Sequence, residues 1–145
     1  METKDFSLLG KMMREIFRVL KKRFDEVSDE DIKISTEQYG LLQSINIKEE
    51  DVIQKDMAEC MGKDKSAILR LIDSLEEKEL IRRVVDTKDR RKNYLMVTKI
   101  GYRVLKQYTA IVDELMDEIQ HGLNESDKDA FLKVVNHITI KTREL

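Results

Sequence analysis

The sequence predicts a mainly α-helical fold that carries one small antiparallel β-hairpin. Apolar residues recur at three- and four-residue steps through most of the chain, which is typical of amphipathic helices. Two short runs near the middle, 80–85 and 93–97, instead contain the β-branched and aromatic residues typical of strands. A chain of 145 residues is the size of one domain. Because no run of about 18 apolar residues occurs, we expect no membrane-spanning helix.

Two helices are predicted before the middle of the chain. The first carries an apolar stripe and ends at the turn-like segment Val27–Asp31. The stripe consists of Phe6, Leu9, Met13, Ile16, Phe17, Leu20 and Phe24. Ser35-x-x-Gln38 is a capping-box pattern, in which each residue's side chain bonds the other's amide, and it predicts the start of the second helix.

A short third helix and a longer fourth helix follow. The third is predicted over Gln54–Met61, after a possible short strand at Val52–Ile53, and Gly62 ends it in a left-handed conformation. Asp64 is the predicted N-cap of the fourth. That helix presents an apolar face of Ile68, Leu71, Ile72 and Leu75, and a polar face of Lys65, Ser66, Leu69, Arg70 and Asp73.

A hairpin and two further helices complete the pattern. Leu80–Val85 and Asn93–Val97 are the predicted strands, and the loop Asp86–Lys92 places four cations in five positions at 88–92. Thr98 caps a long fifth helix that ends at Gly122, and Asn124-x-x-Asp127 opens a sixth. Helix, turn, helix and basic hairpin is the layout of a winged helix-turn-helix, here with additional terminal helices.

Charge is divided unevenly along the chain. Residues 63–103 hold twelve Lys/Arg against seven Asp/Glu, which is +5, whereas the whole chain has a net charge of −2. A basic segment in an otherwise acidic protein indicates local contact with phosphate, although a solvated helix face would give the same count.

From Ile53 to Gly101 the sequence resembles the MarR family of bacterial transcriptional regulators. QKDMAECMGKDKSAILRLIDSLEEKELI is similar to the family's helix-turn-helix, and RRVVDTKDRRKNYLMVTKIG to its wing, with D-x-x-D-R-R followed by MVTKIG. Two departures are local. Glu79 stands where the family usually has a glycine, so this helix exit is either strained or not left-handed. Ile53 and Gln54 stand where a Thr or Ser cap is common.

The resemblance implies a homodimer that binds a palindromic operator on double-stranded DNA, usually as a repressor. We therefore expect residues 1–32 and 98–145 to be dimerisation helices and residues 33–97 to be the winged helix-turn-helix lobe. The apolar stripes of the terminal helices favour the same dimer, because one small lobe would not cover them. The alternative is a private helix bundle within one chain.

The basic segment contains the candidate DNA-binding residues. Arg70 and Ser66 suit base-edge contact, Lys65 suits phosphate, and Leu69 suits a thymine methyl group. Arg90 and Arg91 lie in the predicted wing, and arginine is attracted by the negative potential of a narrow minor groove. The complete set is Lys63, Lys65, Ser66, Leu69, Arg70, Lys88, Arg90 and Arg91. Similarity to the family also implies that Arg91 pairs with Asp64, which would fix the wing to the fourth helix.

The resemblance further implies a small aromatic or anionic effector. Its crevice would lie among Met12, Met13, Phe17, Tyr39 and Tyr108, residues that would otherwise be core at the helix junction. We expect no cofactor, and His121 and His137 are too few for a metal site. No catalytic constellation or phosphate loop is present in the sequence, so an enzyme is not expected.

The single cysteine, Cys60, allows no internal disulfide and favours a reducing cytoplasm. It also leaves open a redox-sensing regulator, although its neighbours Glu59 and Met61 offer no cation to stabilise a thiolate. A winged helix that binds proteins and not DNA is the other alternative. Clustering of Lys65, Arg70, Arg90 and Arg91 argues against it.

Overall fold

The computed structural model describes residues 5–48, 57, 61–85, 87–88 and 93–145. Its elements in chain order are α1 (Leu8–Asp25), α2 (Thr36–Lys48), α3 (Lys65–Glu77), β1 (Ile81–Val85), β2 (Asn93–Val97), α4 (Lys99–Gln120) and α5 (Glu125–Glu144). The predicted fold class, mainly α with a small antiparallel wing, is confirmed. Most of the predicted third helix and the possible strand at Val52–Ile53 lie outside the described residues.

The chain divides into two compact units, Met1–Val112 and Asp113–Leu145. The boundary falls within α4, so each unit is described by itself. The separation of a lobe at 33–97 from dimerisation helices at 1–32 and 98–145 stays a prediction.

The core of the first unit is built from the inward faces of its helices and hairpin. Leu20 and Phe24 of α1 are buried, as their places in the predicted stripe require. Helix α2 begins with the predicted capping box: the Ser35 amide donates to Gln38 Oε1 at 2.8 Å, and the Gln38 amide donates to Ser35 Oγ at 3.1 Å. The remaining buried apolar residues of this unit include Leu41, Leu42, Ile45, Ile68, Ile72, Leu75 and Leu80.

Tyr108 of α4 lies at the centre of the first unit and is fully buried. Its hydroxyl donates to the carbonyl oxygen of Ile32 at 3.1 Å and accepts from the amide of Ile34 at 3.1 Å. Phe24 packs edge-on against the ring, with centroids 4.7 Å apart. The phenol thus joins α4 to the segment that precedes α2, and its polar group is satisfied inside the core.

The hairpin pairs β1 with β2 from Ile81 opposite Val97 to Val85 opposite Asn93. The α4 N-terminus fits closely beneath it, since a Cβ added at Gly101 would come within 2.1 Å of the Leu80 carbonyl oxygen. Thr98 caps α4 as predicted, because its Oγ1 accepts from the Gly101 amide at 3.0 Å.

In the second unit, α5 begins at the predicted capping box of Asn124 and Asp127. None of its residues is buried. The large apolar side chains exposed in this unit are Ile119, Leu123, Phe131, Leu132, Val134, Val135, Ile140 and Leu145. This apolar surface is large for a free helix and calls for a covering partner.

Candidate nucleic-acid interface

Helix α3, predicted as the fourth helix, is fixed at its N-terminus and along one face. The Asp64 side chain accepts from the Ala67 amide at 2.7 Å, which confirms the predicted N-cap. Ile68, Ile72 and Leu75 are buried on the inner face. Because core packing and the cap both hold the helix, its outer face is presented on a rigid support.

The outer face of α3 carries the predicted base-contacting residues. Lys65, Ser66 and Arg70 are exposed, and Leu69 is half-buried. At 3.6 residues per turn, Ser66, Arg70 and Asp73 fall along one stripe. The structure therefore brings the hydroxyl and guanidinium groups together near the N-terminal half of the helix, with a carboxylate further along the same stripe.

Lys63 is held in a different way. Its Nζ lies 3.5 Å from Glu37 Oε2 of α2, and 32% of its side chain is exposed. This ion pair links the turn before α3 to the first turn of α2. The preceding residue, Gly62, has a φ of 61°, which confirms the predicted left-handed exit.

The hairpin loop is described only in part. Lys88 is exposed, whereas Arg90 and Arg91 lie outside the described residues. The predicted pair of Asp64 with Arg91 falls there too, and so does the predicted redox candidate Cys60. The described contact of the Asp64 carboxylate is its N-cap hydrogen bond within α3.

The structure shows a contact between the first wing strand and α3 that was not predicted from the sequence. Arg83 of β1 donates from Nη2 to Asp73 Oδ1, and its Nε lies 3.8 Å from Glu76 Oε2. Strand alternation offers a signal for it: Arg83 is two residues from the buried Ile81, so both point to the same face of the sheet. Asp73 and Glu76 are three residues apart and are therefore neighbours on the helix surface.

The residues of the predicted effector crevice do not share one environment. Tyr108 lies in the core, which is the alternative that the sequence left open, and the Tyr39 hydroxyl bonds Thr109 Oγ1 at 3.0 Å. Met12, Met13 and Phe17 are exposed on α1. Phe17 borders a cleft of about 640 Å³. The other lining residues are Arg18, Lys21, Thr36, Glu37, Gly40 and Met61.

The carboxyl groups with a lowered pKa lie away from α3. Hydrogen bonding to Lys33 lowers the pKa of Asp29, and the same bond raises the pKa of Lys33. A hydrogen bond from Ser7 lowers the pKa of Asp5. Within the described residues, no group of His, Cys, Asp and Glu side chains could hold a metal ion. No described helix is long and apolar enough to span a membrane.

Comparison with known proteins identifies the fold. Residues 32–92, which include α2, α3 and the hairpin strand β1, match the family model described as the MarR family. This segment of the chain is similar to the MarR family.

Solved MarR-type structures match nearly the whole length of the chain. The DNA complex of MepR from S. aureus superposes with a TM-score of 0.81 at 21% identity, covering 96% of this chain and 99% of MepR. Wild-type MarR from E. coli gives 0.76 at 18% identity, covering 95% and 98%. CouR from Rhodococcus jostii, bound to p-coumaroyl-CoA, gives 0.76 at 23% identity, covering 93% and 91%. At these identities the match shows a shared fold.

Proposed function

We propose that this chain is a sequence-specific transcriptional regulator that binds a palindromic DNA site as a homodimer and represses transcription. The observation that carries the proposal is the outer face of α3. Ser66 and Arg70 are exposed on a helix whose cap and inner face are fixed, and such a helix fits the major groove. The MepR structure of the same fold is a DNA complex, which supports this use of the fold.

The homodimer is supported by uncovered apolar side chains in both units. Phe6, Leu8 and Met13 are each more than half exposed in α1 and the segment before it, and α5 has no buried residue. Burial of these side chains against a second copy would remove apolar area from water. Light scattering of the purified chain should give about twice 17.1 kDa. A monomer at micromolar concentration would refute the dimer.

The DNA experiment begins with selection of bound duplexes from a random-sequence library, followed by titration with the selected and the random DNA. Arg70→Ala should weaken binding to selected DNA by about 1–3 kcal/mol and leave binding to random DNA less affected, because base contacts carry the sequence information. Arg103→Ala, which removes an exposed arginine from α4, is the matched control.

Equal losses on both DNAs would make Arg70 a phosphate contact. A wild-type chain that selects no sequence would refute the regulator and leave the winged helix as a protein-binding module. Repression itself is tested by a reporter under a promoter that overlaps the selected site, where expression of the chain should lower transcription.

A small-molecule effector is favoured by the cleft between α1 and α2. Phe17 gives it an aromatic wall, and Arg18 and Lys21 place cations at its rim. These groups suit a small aromatic acid. CouR, which shares the fold, binds p-coumaroyl-CoA. Glu37 also lines the cleft, and it pairs with Lys63, which precedes the α3 cap. A ligand that displaces Glu37 would break this ion pair and thereby affect the start of the DNA-binding helix.

The test uses cinnamate and benzoate in a thermal-shift screen, followed by DNA titration with any ligand that stabilises the chain. Lys21→Gln should weaken ligand binding, whereas Lys22→Gln, on the adjacent position outside the cleft lining, should not. A tenfold effect on DNA affinity requires about 1.4 kcal/mol of coupling. A ligand that stabilises the chain without changing DNA affinity would refute the regulatory role.

A further inference from the structure

Arg83 joins the first wing strand to α3 through two carboxylates. Its guanidinium donates to Asp73 and approaches Glu76, with 28% of the arginine side chain exposed. The Nε atom is buried and has no hydrogen-bond partner among the described residues, since Glu76 Oε2 at 3.8 Å is too distant. The half-buried arginine therefore depends on its ionic partners on α3.

The C-terminal half of α3 has an unfavourable charge distribution without Arg83. It contains Asp73, Glu76 and Glu77, and its last turn has no basic residue. Carboxylates near a helix C-terminus oppose the helix dipole, whose negative end lies there. A cation supplied by the neighbouring strand offsets this repulsion, and among the described contacts Arg83 makes the ion pairs to Asp73 and Glu76.

The position of Asp73 gives the ion pair a role in binding. Asp73 lies on the same helical stripe as Ser66 and Arg70, two turns or less from each. In the proposed DNA complex this stripe faces the groove, so an unpaired Asp73 would face the phosphate backbone. Like charges repel over about 8–10 Å at ordinary salt concentrations. Pairing with Arg83 offsets one of the two negative charges of Asp73 and Glu76.

We propose that Arg83 is a positioning residue of the DNA-binding surface: it holds β1 against α3 and neutralises Asp73 where the helix meets DNA. This inference rests on the proposed DNA-binding function. It differs from a purely structural brace in one respect. If neutralisation matters, loss of the Arg83 charge is corrected by removing the Asp73 charge, although the contact between strand and helix stays broken.

The experiment measures binding of the full chain to a random-sequence duplex and to a library-selected duplex at several salt concentrations. Arg83→Gln should weaken binding to both DNAs about three- to tenfold at low salt and lower the salt slope by about one unit. The double variant Arg83→Gln/Asp73→Asn restores the net charge and should recover most of the lost affinity and the slope. Arg82→Gln is the matched control, since the adjacent Arg82 is exposed and on the opposite face of the strand.

Asp73→Asn alone keeps the proposal testable if Arg83→Gln does not fold. It leaves Glu76 as an ionic partner of Arg83 and makes the local charge one unit more positive, so binding should stay equal or become tighter, whereas a pure brace predicts weaker binding. Two results would overturn the role of Arg83 and leave the proposed function standing. In the first, the wild-type chain binds DNA but the double variant does not recover the lost affinity. In the second, Asp73→Asn binds DNA more weakly than wild type. A wild-type chain that binds neither DNA would overturn the proposed function and this inference together.

Discussion

Replacement of Tyr108 by phenylalanine tests how the first unit is held together. The change removes one hydroxyl and keeps the ring, so the edge contact with Phe24 at 4.7 Å is retained. The amide of Ile34, which donates to that hydroxyl at 3.1 Å, is left without an acceptor in a buried position. An unsatisfied buried donor costs about 1–3 kcal/mol. The Ile32 carbonyl lies nearer the surface and adds less, so we expect a loss of about 2 kcal/mol.

The assay is urea denaturation followed by circular dichroism, at one chain concentration because the stability of a dimer depends on concentration. Tyr39→Phe is the first control: its hydroxyl contacts Thr109 in a half-buried position, and its loss should cost about 1 kcal/mol or less. Tyr102→Phe is the second, since Tyr102 is exposed and the change should have almost no effect. A Tyr108→Phe variant within about 0.5 kcal/mol of wild type would refute the reasoning.

Three further substitutions test local features of the fold by the same denaturation assay. Gly101→Ala should destabilise the fold by several kcal/mol, because its Cβ would lie 2.1 Å from the Leu80 carbonyl oxygen. At Gly10 the nearest atom to an added Cβ is 3.5 Å away, so Gly10→Ala should stabilise α1 by up to about 1 kcal/mol. Equal effects of the two substitutions would contradict this reasoning. Asp64→Ala should lower the free energy of unfolding by about 1 kcal/mol, and Asp64→Asn should lower it much less. No loss in Asp64→Ala would show that the cap does not contribute to stability. Glu79→Gly should stabilise by about 0.5–1 kcal/mol, because Glu79 has a φ of 61°, and a loss of stability would show that its side chain matters more than this strain.

Features that depend on neighbouring residues could be predicted from the sequence. The caps at Ser35, Asp64, Thr98 and Asn124 and the left-handed exit at Gly62 are all present. Each is decided within about four residues by hydrogen bonds to free helix amides or by the missing Cβ of glycine. The strands were predicted within one residue of their ends, because β-branched and aromatic residues and the flanking polar loops are also local signals.

Features that depend on distant residues could not be predicted in the same way. The Tyr108 hydroxyl bonds residues 76 and 74 positions earlier, and nothing near Tyr108 specifies those partners. Periodicity placed the residue on an inward face but could not distinguish a core position from a ligand site. Likewise, the ion pair of Arg83 with Asp73 was not predicted from the sequence. The pair of Asp64 with Arg91 that the resemblance implies stays a prediction, because Arg91 lies outside the described residues.

The distribution of charge along α3 bears on the proposal that a chain of net charge −2 favours particular DNA sequences. The N-terminal half presents Lys65, Ser66 and Arg70. The C-terminal half presents Asp73, Glu76 and Glu77, and Arg83 offsets one of their charges. Phosphate attraction is independent of sequence, so every carboxylate near the backbone reduces binding to all DNA alike. In the proposed complex, base contacts through Arg70 would be gained only at the correct site. Carboxylates in the C-terminal half of α3 would then lower non-specific affinity more than specific affinity, which would widen the ratio on which the proposed regulation depends.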